Sequence, residues 1–549
     1  MTLREEQNSG GVPEAAFGDP DGSRIEIEDA VAGFVRFDGQ SSLRGLTVSD
    51  SSKTRVVVGG KGAGKSRYLR RFAAAMLEEP AVYIDELIKA HADVVQKDAP
   101  STLAVVKVSH SIEDPFLTER WSLLWRRAIF RSLVSHLLHS DALSPYLDDE
   151  QRKELENDYT PELYRTFKRP LSIYSQATEI IGDHTRSSLP QYLEDYRWHD
   201  LEGLLGEIVR VVPPLYFYVD AIDDEYAHAP LYWLRCQKGL FYTVMKLAKD
   251  ELFGARLHVV ICVRDHVLSS LLRGEHASRY RDSPFVRSLS WDEASLRFFM
   301  RAKLEALPAE YFADPALRDE DLVAAWLGSE TVWNEDRGIS EGVERYLLRH
   351  TRLSPRDIVQ LGNRLTERIV KSKRLGTPWR EEELRDVVGQ LAAEWGEEQL
   401  TICAQQMAAD MMPAHAADQD YGEVFTGALA YMPTVSQTLR TFLVDAIGVD
   451  RFDREFFAYA REMAAKYFDE RTDVFSVLWQ NGLLGYGVGD LESGTEHFYR
   501  IKERSNSFLI PYDADFYVLH SCLIDAAGIE PFGQRPVLGF RAGGSGPLL

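Results

Sequence analysis

Eight consecutive residues, Gly59-Gly60-Lys61-Gly62-Ala63-Gly64-Lys65-Ser66, bring together glycines without side chains, primary amines and a hydroxyl. Glycines let the backbone close around a small anion with successive N–H groups pointing at it, while a lysine adds mobile positive charge. A serine hydroxyl can ligate a hard divalent cation. The order, Gly59 followed by four residues and then Gly64-Lys65-Ser66, is the G-x-x-x-x-G-K-[ST] phosphate-binding pattern. The β-branched run Val56-Val57-Val58 precedes it and a helical stretch follows, so the positive end of a helix adds to the site. The chemistry expected is the binding of a nucleoside triphosphate. Gly59, Gly60, Lys61, Gly62, Ala63 and Gly64 wrap its phosphates, Lys65 reaches the β and γ phosphates, Ser66 holds Mg²⁺, and Arg67 opens the next helix beside them.

Such a loop needs a carboxylate to hold Mg²⁺, placed at the end of a buried apolar strand. Leu215-Tyr216-Phe217-Tyr218-Val219-Asp220 supplies one, and Asp223, Asp224 and Glu225 follow at what would be the strand's carboxyl end. Asp220 is the expected metal carboxylate, and Asp223 or Asp224 the group that polarises an attacking water. The alternative for the later acids is an acidic loop in which Asp224 or Glu225 caps the next helix. A further apolar run, Leu257 to Val263, ends in Arg264-Asp265. If that strand lies beside the Asp220 strand, Arg264 can bind a γ-phosphate bidentately and distinguish triphosphate from diphosphate; the alternative is an Arg264 paired with Asp265 or a neighbouring acid for structure only. Ser354-Pro355-Arg356 reads as a helix start with Ser354 as cap, which aims Arg356 outward from the first turn as a second sensor.

These residues require elements to position them. From about Phe34 to Ser290, strand-like runs at 55–58, 81–84, 103–108, 215–219, 258–263 and 285–289 alternate with helical stretches, which predicts an α/β domain with a parallel sheet. Residues 110–213 form a helical insertion within this ATPase domain, 31–290. Residues 291–400 read as helical throughout, an all-α lid. Residues 401–535 combine helical patterns, the stretch 474–486 with its Gly-rich turn, and the strand-like pair 497–501 and 516–519, which together predict a winged-helix-like domain. Residues 1–30 and 536–549 read as flexible tails.

Composition sets outer limits. At 549 residues several domains are expected, and no apolar run approaches the roughly 18 residues that a spanning helix needs. Met1 to Ser23 lacks the basic-then-apolar order of a signal peptide, so no membrane association and a cytoplasmic location are expected. The four cysteines are far apart and read as buried small hydrophobes. A formal charge of −22 argues against a surface that tracks nucleic acid throughout. The short basic clusters at 67–71, 120–131 and 345–356 read as solvated or nucleotide-facing helix sides.

Taken together, Gly59 to Ser66, Val219-Asp220 with Asp223, Asp224 and Glu225, Cys262-Val263-Arg264-Asp265, Trp291 opening a helix, Ser354-Pro355-Arg356-Asp357 and the C-terminal winged helix resemble bacterial AAA-like P-loop ATPases. The relatives implied are the STAND and origin-recognition groups. The resemblance spans about 34–530. It implies ATP bound with Mg²⁺ between sheet domain and lid, hydrolysis, ATP-dependent homo-oligomerisation and signalling, including antiviral defence, to a separate effector protein. No repeat array for ligand sensing is present, unlike many STAND proteins, and no Asn-Lys-x-Asp guanine motif is evident. The winged helix is expected to pack on protein rather than DNA, because Thr472 to Leu484 holds no Lys or Arg and cations return only at Arg500, Lys502 and Arg504. DNA binding is the alternative, in an ATPase that loads or remodels a nucleoprotein complex.

Overall fold

A computed structural model of the 549-residue chain describes residues 15–21, 53–77, 83–84, 117–184, 188–220, 230–272, 280, 283–411, 433–468, 472–491, 495–498 and 510–531. Its first unit is built on five parallel strands, β1 (Val56–Val58), β2 (Tyr83–Ile84), β3 (Leu215–Val219), β4 (Leu257–Val263) and β5 (Val286–Ser288). They lie in the order β2-β3-β4-β1-β5. A parallel sheet covered on both faces needs apolar residues at every position, and β1, β3 and β4 are buried throughout. Because side chains alternate across a strand, Val56, Val58, Phe217 and Ile261 feed one core while Val57, Tyr216, Tyr218 and Cys262 feed another. The second core is closed by Tyr68, Leu69 and Phe72 of α1 (Lys65–Leu77).

The other face carries the expected helical insertion, α2 (Leu117–His139), α3 (Ile173–Asp183), α4 (Ser188–Leu193) and α5 (Arg197–Val211), followed by α6 (Pro230–Leu247) and α7 (Asp265–Leu272). The basic cluster of α2 is not a solvated face. Arg126 and Arg127 share Glu202, Arg126 also meets Asp250, and Arg131 bonds Glu179 at 2.6 Å. The expected strand at 103–108 lies outside the described residues.

The lid comprises α8 (Glu293–Glu305), α9 (Leu322–Leu327), α10 (Val343–His350), α11 (Pro355–Leu375) and α12 (Glu381–Met411). It is not helical throughout, because β6 (Thr331–Asn334) and β7 (Ile339–Gly342) form an antiparallel hairpin. The lid core gives way to the next core near residue 400, within a single helix. Helix α12 has Leu391 and Trp395 in the lid core and Leu400 and Cys403 in the next.

The third unit adds helical residues 433–447, β8 (Arg451–Asp453), α13 (Arg454–Ala464), α14 (Val474–Gln480), β9 (Leu484–Val488), β10 (Thr495–Phe498), β11 (Phe516–Leu519) and α15 (Cys522–Ala527). Its antiparallel sheet has the order β10-β9-β11-β8. The helix expected within 474–486 therefore stops at Gln480. Residues 484–488 form the strand between the two that the sequence pairs with each other.

Residues 15–21 depart from the expected N-terminal tail. Phe17 is 1% exposed in the lid core, with its ring 5.3 Å from Trp326. Asn363 accepts from its N–H at 2.7 Å and donates to Gly18 O at 2.9 Å. Burying a phenylalanine is worth about 1.5–3 kcal/mol, which together with the two Asn363 bonds offsets part of the cost of ordering the strap. Among the described residues no helix is long and apolar enough to cross a membrane.

Candidate functional site

The glycine loop leaves the sheet at the carboxyl end of β1, between β4 and β5. Gly59 donates to Val263 O at 3.3 Å, and Leu289 donates to Val58 O at 2.7 Å. Gly62 and Gly64 have φ of +82° and +89°, a region that L side chains avoid, so the chain can turn sharply into α1. This turn leaves backbone donors unmatched. Ala63 N–H bonds Gly60 O, but among the described residues the N–H groups of Gly62, Gly64, Lys65 and Ser66 have no backbone acceptor. Three of these four groups stand at or next to the start of α1, where helix geometry orphans its first donors and concentrates positive potential. The Lys65 ammonium folds back over the loop and donates to Gly59 O and Gly60 O, each at 3.0 Å.

Neighbouring strand ends bring two further expected residues to the same edge. Val58 pairs with Val263 and Val219 with Ile261, so Arg264 after β4 emerges beside Gly59, while Asp220 ends β3 at the same side of the sheet, one strand further from the loop. The β4 strand lies between β3 and β1, and Arg264 is 8% exposed at the start of α7. Asp265 also faces the loop, its Oδ2 within 3.5 Å of where a Gly60 side chain would begin. Asp220 is half-buried. Asp223, Asp224 and Glu225 lie outside the described residues, and among those described no cluster of His, Cys, Asp and Glu is arranged to hold a metal.

The lid closes over the loop through its own backbone. Ser354 caps α11 by accepting from Asp357 N–H at 3.4 Å. Arg356 N–H reaches Gly62 O at 3.4 Å, and its Nε donates to Pro20 O of the strap at 3.3 Å. The Arg356 side chain thus leaves the first turn of α11 towards the strap. The contact leaves no room for a side chain at residue 62, where a Cβ would collide with Ser354 Oγ and lie 2.9 Å from Arg356 Cβ. Trp291, immediately before the Asp292 cap of α8, donates its indole N–H to Ala63 O at 3.0 Å.

Lys61 plays a part that its place in the loop does not announce. Its ammonium pairs at 2.7 Å with Glu398 of α12, which also takes Arg352 at 2.8 Å. Arg352 in turn holds Asp357 at 2.6 Å. Burial alone would raise the Glu398 carboxyl, but Arg352 and Lys61 hold it down at about 2. Leu353, between Arg352 and the Ser354 cap, sits at φ +53°, an uncommon conformation for a leucine that the flanking bonds hold in place. The same segment touches the third unit, where His520 Nε2 bonds Thr351 O at 3.0 Å and Ser521 donates to Arg349 O at 3.1 Å. Glu398 and the strap escape sequence reading because their partners lie far along the chain, whereas Trp291, read as opening a helix, stands one residue before the Asp292 cap.

The charge balance at the loop is unusual for an acidic chain. Lys65, Arg67, Lys303 and Arg356 have no carboxylate partner among the described residues, although the chain holds 85 acids against 63 lysines and arginines. Burial and nearby Arg67 lower the Lys303 ammonium to about 8, and burial lowers Arg67 itself. Orphaned backbone donors and uncompensated cations meet at one loop, which suits a polyanion. Compared with family models, curated proteins and solved structures, the chain has no match.

Proposed function

We propose that the chain is an ATP-binding and ATP-hydrolysing switch of the AAA-like P-loop class. Its nucleotide state would control self-assembly or recruitment of a separate effector. The observation that carries this reading is the loop at the carboxyl end of β1, where the N–H groups of Gly62, Gly64, Lys65 and Ser66 lack backbone acceptors and the Lys65 ammonium folds over the turn. In this reading Gly59 to Ser66 hold the triphosphate and Ser66 and Asp220 hold Mg²⁺, which neutralises phosphate charge. Arg264 and Arg356 read the γ-phosphate from the sheet and lid sides. Asp223 or Asp224 as the group activating water rests on the sequence alone. The winged-helix character of the third unit is supported by its element order and by the β8-β11-β9 core of its sheet. A role in stress signalling or antiviral defence, in the cytoplasm, rests on the family resemblance.

One observation weighs against the nucleoprotein-remodelling reading. Every residue of α14, the helix that would enter a DNA groove, is buried. Its Gln480 meets Ser269 of α7 at 3.5 Å and Gln406 of α12 at 3.3 Å. In this conformation the helix packs on protein, including the helix that follows Arg264.

Steady-state ATP turnover by the intact chain and by the Lys65→Ala, Asp220→Ala and Asp224→Ala variants tests the assignment. Turnover by the parent and a fall of about 100-fold or more in each variant is expected. Equal rates in all four overturn the active-site assignment.

A further inference from the structure

The geometry points to Lys303 as a lid residue that binds the phosphates of the nucleotide, acting together with Arg67 of the loop helix. This inference rests on the nucleotide reading above and adds a contact that the loop pattern does not contain.

Lys303 lies one turn after Phe299 on α8, with its ammonium 5.7 Å from the centre of the Phe299 ring. The ring is held in turn at 5.7 Å by Trp291, whose indole is anchored to Ala63 O of the loop. On another side stands the strap, where a Cβ on Gly18 would come within 3.8 Å of the ammonium. Arg67, in the first turn of α1, is the charged group that acts on it. The amine thus occupies the seam between loop helix, lid and strap.

What it lacks there is a counter-charge. Among the described residues no carboxylate lies within ion-pair distance of Lys303, and on its own helix Glu293 pairs with Arg297 instead. Arg67 Nε is buried without a hydrogen-bond partner. Two half-buried cations without a carboxylate partner among the described residues cost free energy, and the ring beside Lys303 offsets only part of it. A multiply charged anion between them would supply what both need. A neutral base or ribose offers acceptors but no charge, so phosphate is the group that fits. The competing account is a lysine whose stem simply packs against Phe299 while its amine reaches for water.

The two accounts predict opposite behaviour on removing the charge. Calorimetric titration of Mg·ATP and of adenosine into the full chain, beside thermal unfolding without nucleotide, compares the parent with Lys303→Met and Lys303→Arg. Lys303→Met is expected to weaken ATP by about ten-fold or more, to leave adenosine binding unchanged and to raise the melting temperature of the nucleotide-free chain. Lys303→Arg keeps ATP affinity within about three-fold, since it keeps the charge. ATP affinity within about two-fold of the parent in Lys303→Met, or weakening equal for ATP and adenosine, overturns the inference. A parent chain that binds no ATP refutes the nucleotide reading itself, an outcome distinct from normal binding that ignores residue 303.

Discussion

At the loop and its lid, Lys303 and Gly62 are residues at which charge and space are tight. Because the folded chain holds the Lys303 ammonium at about 8, below its ordinary value of 10.5, the unfolded chain binds the proton more strongly between those values. This contribution costs stability below pH 8, and the cost is relieved as pH rises from 8 towards 10.5. Lys303→Met removes it, so the stability advantage of the variant over the parent should shrink across that window in parallel denaturant titrations. An advantage independent of pH would contradict the assignment. At Gly62 the limit is steric. Alanine there would have to adopt φ +82° and would collide with Ser354 Oγ. Gly62→Ala is therefore expected to cost about 1–3 kcal/mol and to push the lid from the loop, seen as faster amide exchange over 352–357. Unchanged exchange there would show that the loop tolerates the side chain. The sharp turn through Gly59 to Ser66 was legible in the sequence because closely spaced glycines between a strand and a helix are a local backbone device. Lys303 and Glu398 were not, since each gains its meaning from a partner hundreds of residues away or on another unit.

Among the elements, the strands β3 and β4 and the cap of α11 follow from continuous apolar runs and from a Ser-Pro start, and the structure has them close to where the sequence reads them. The β9 strand was harder. Leu484-Gly485-Tyr486-Gly487-Val488 reads as a turn, yet its glycines make room for rings from neighbouring strands. A side chain at Gly487 would overlap the Phe516 ring, and one at Gly485 would press on Phe498 at 3.0 Å. The strap over 15–21 also eluded the sequence, because a single phenylalanine among breakers carries no periodicity. Its place predicts that Phe17→Ala vacates a pocket against Trp326 and Gly362. Loss of about 3–5 kcal/mol from the lid, with new protease cleavage near Gly18, is the expected outcome. A melting temperature equal to that of the parent would mean that the strap contributes nothing to the lid.

At the scale of the whole molecule, contacts run from the loop to all three units. Lys61 holds Glu398 at the hand-over between lid and third-unit cores, Arg352 joins Glu398 to the α11 start, and His520 reaches Thr351 from the third unit. Such a chain joins the loop by direct contacts to the lid and to the third unit. Glu398→Gln should loosen it, with a loss of about 1–2 kcal/mol and faster exchange at both 349–357 and 520–524. Exchange confined to either segment alone would break the proposed link. The central claim is that Gly59 to Ser66 bind a nucleoside triphosphate, and equilibrium titration of Mg·ATP into the parent and the Lys65→Ala chain tests it most directly. Saturable binding by the parent, weakened about 100-fold or more in Lys65→Ala, is the predicted result. Absence of binding by the parent, or equal affinity in both, would contradict it.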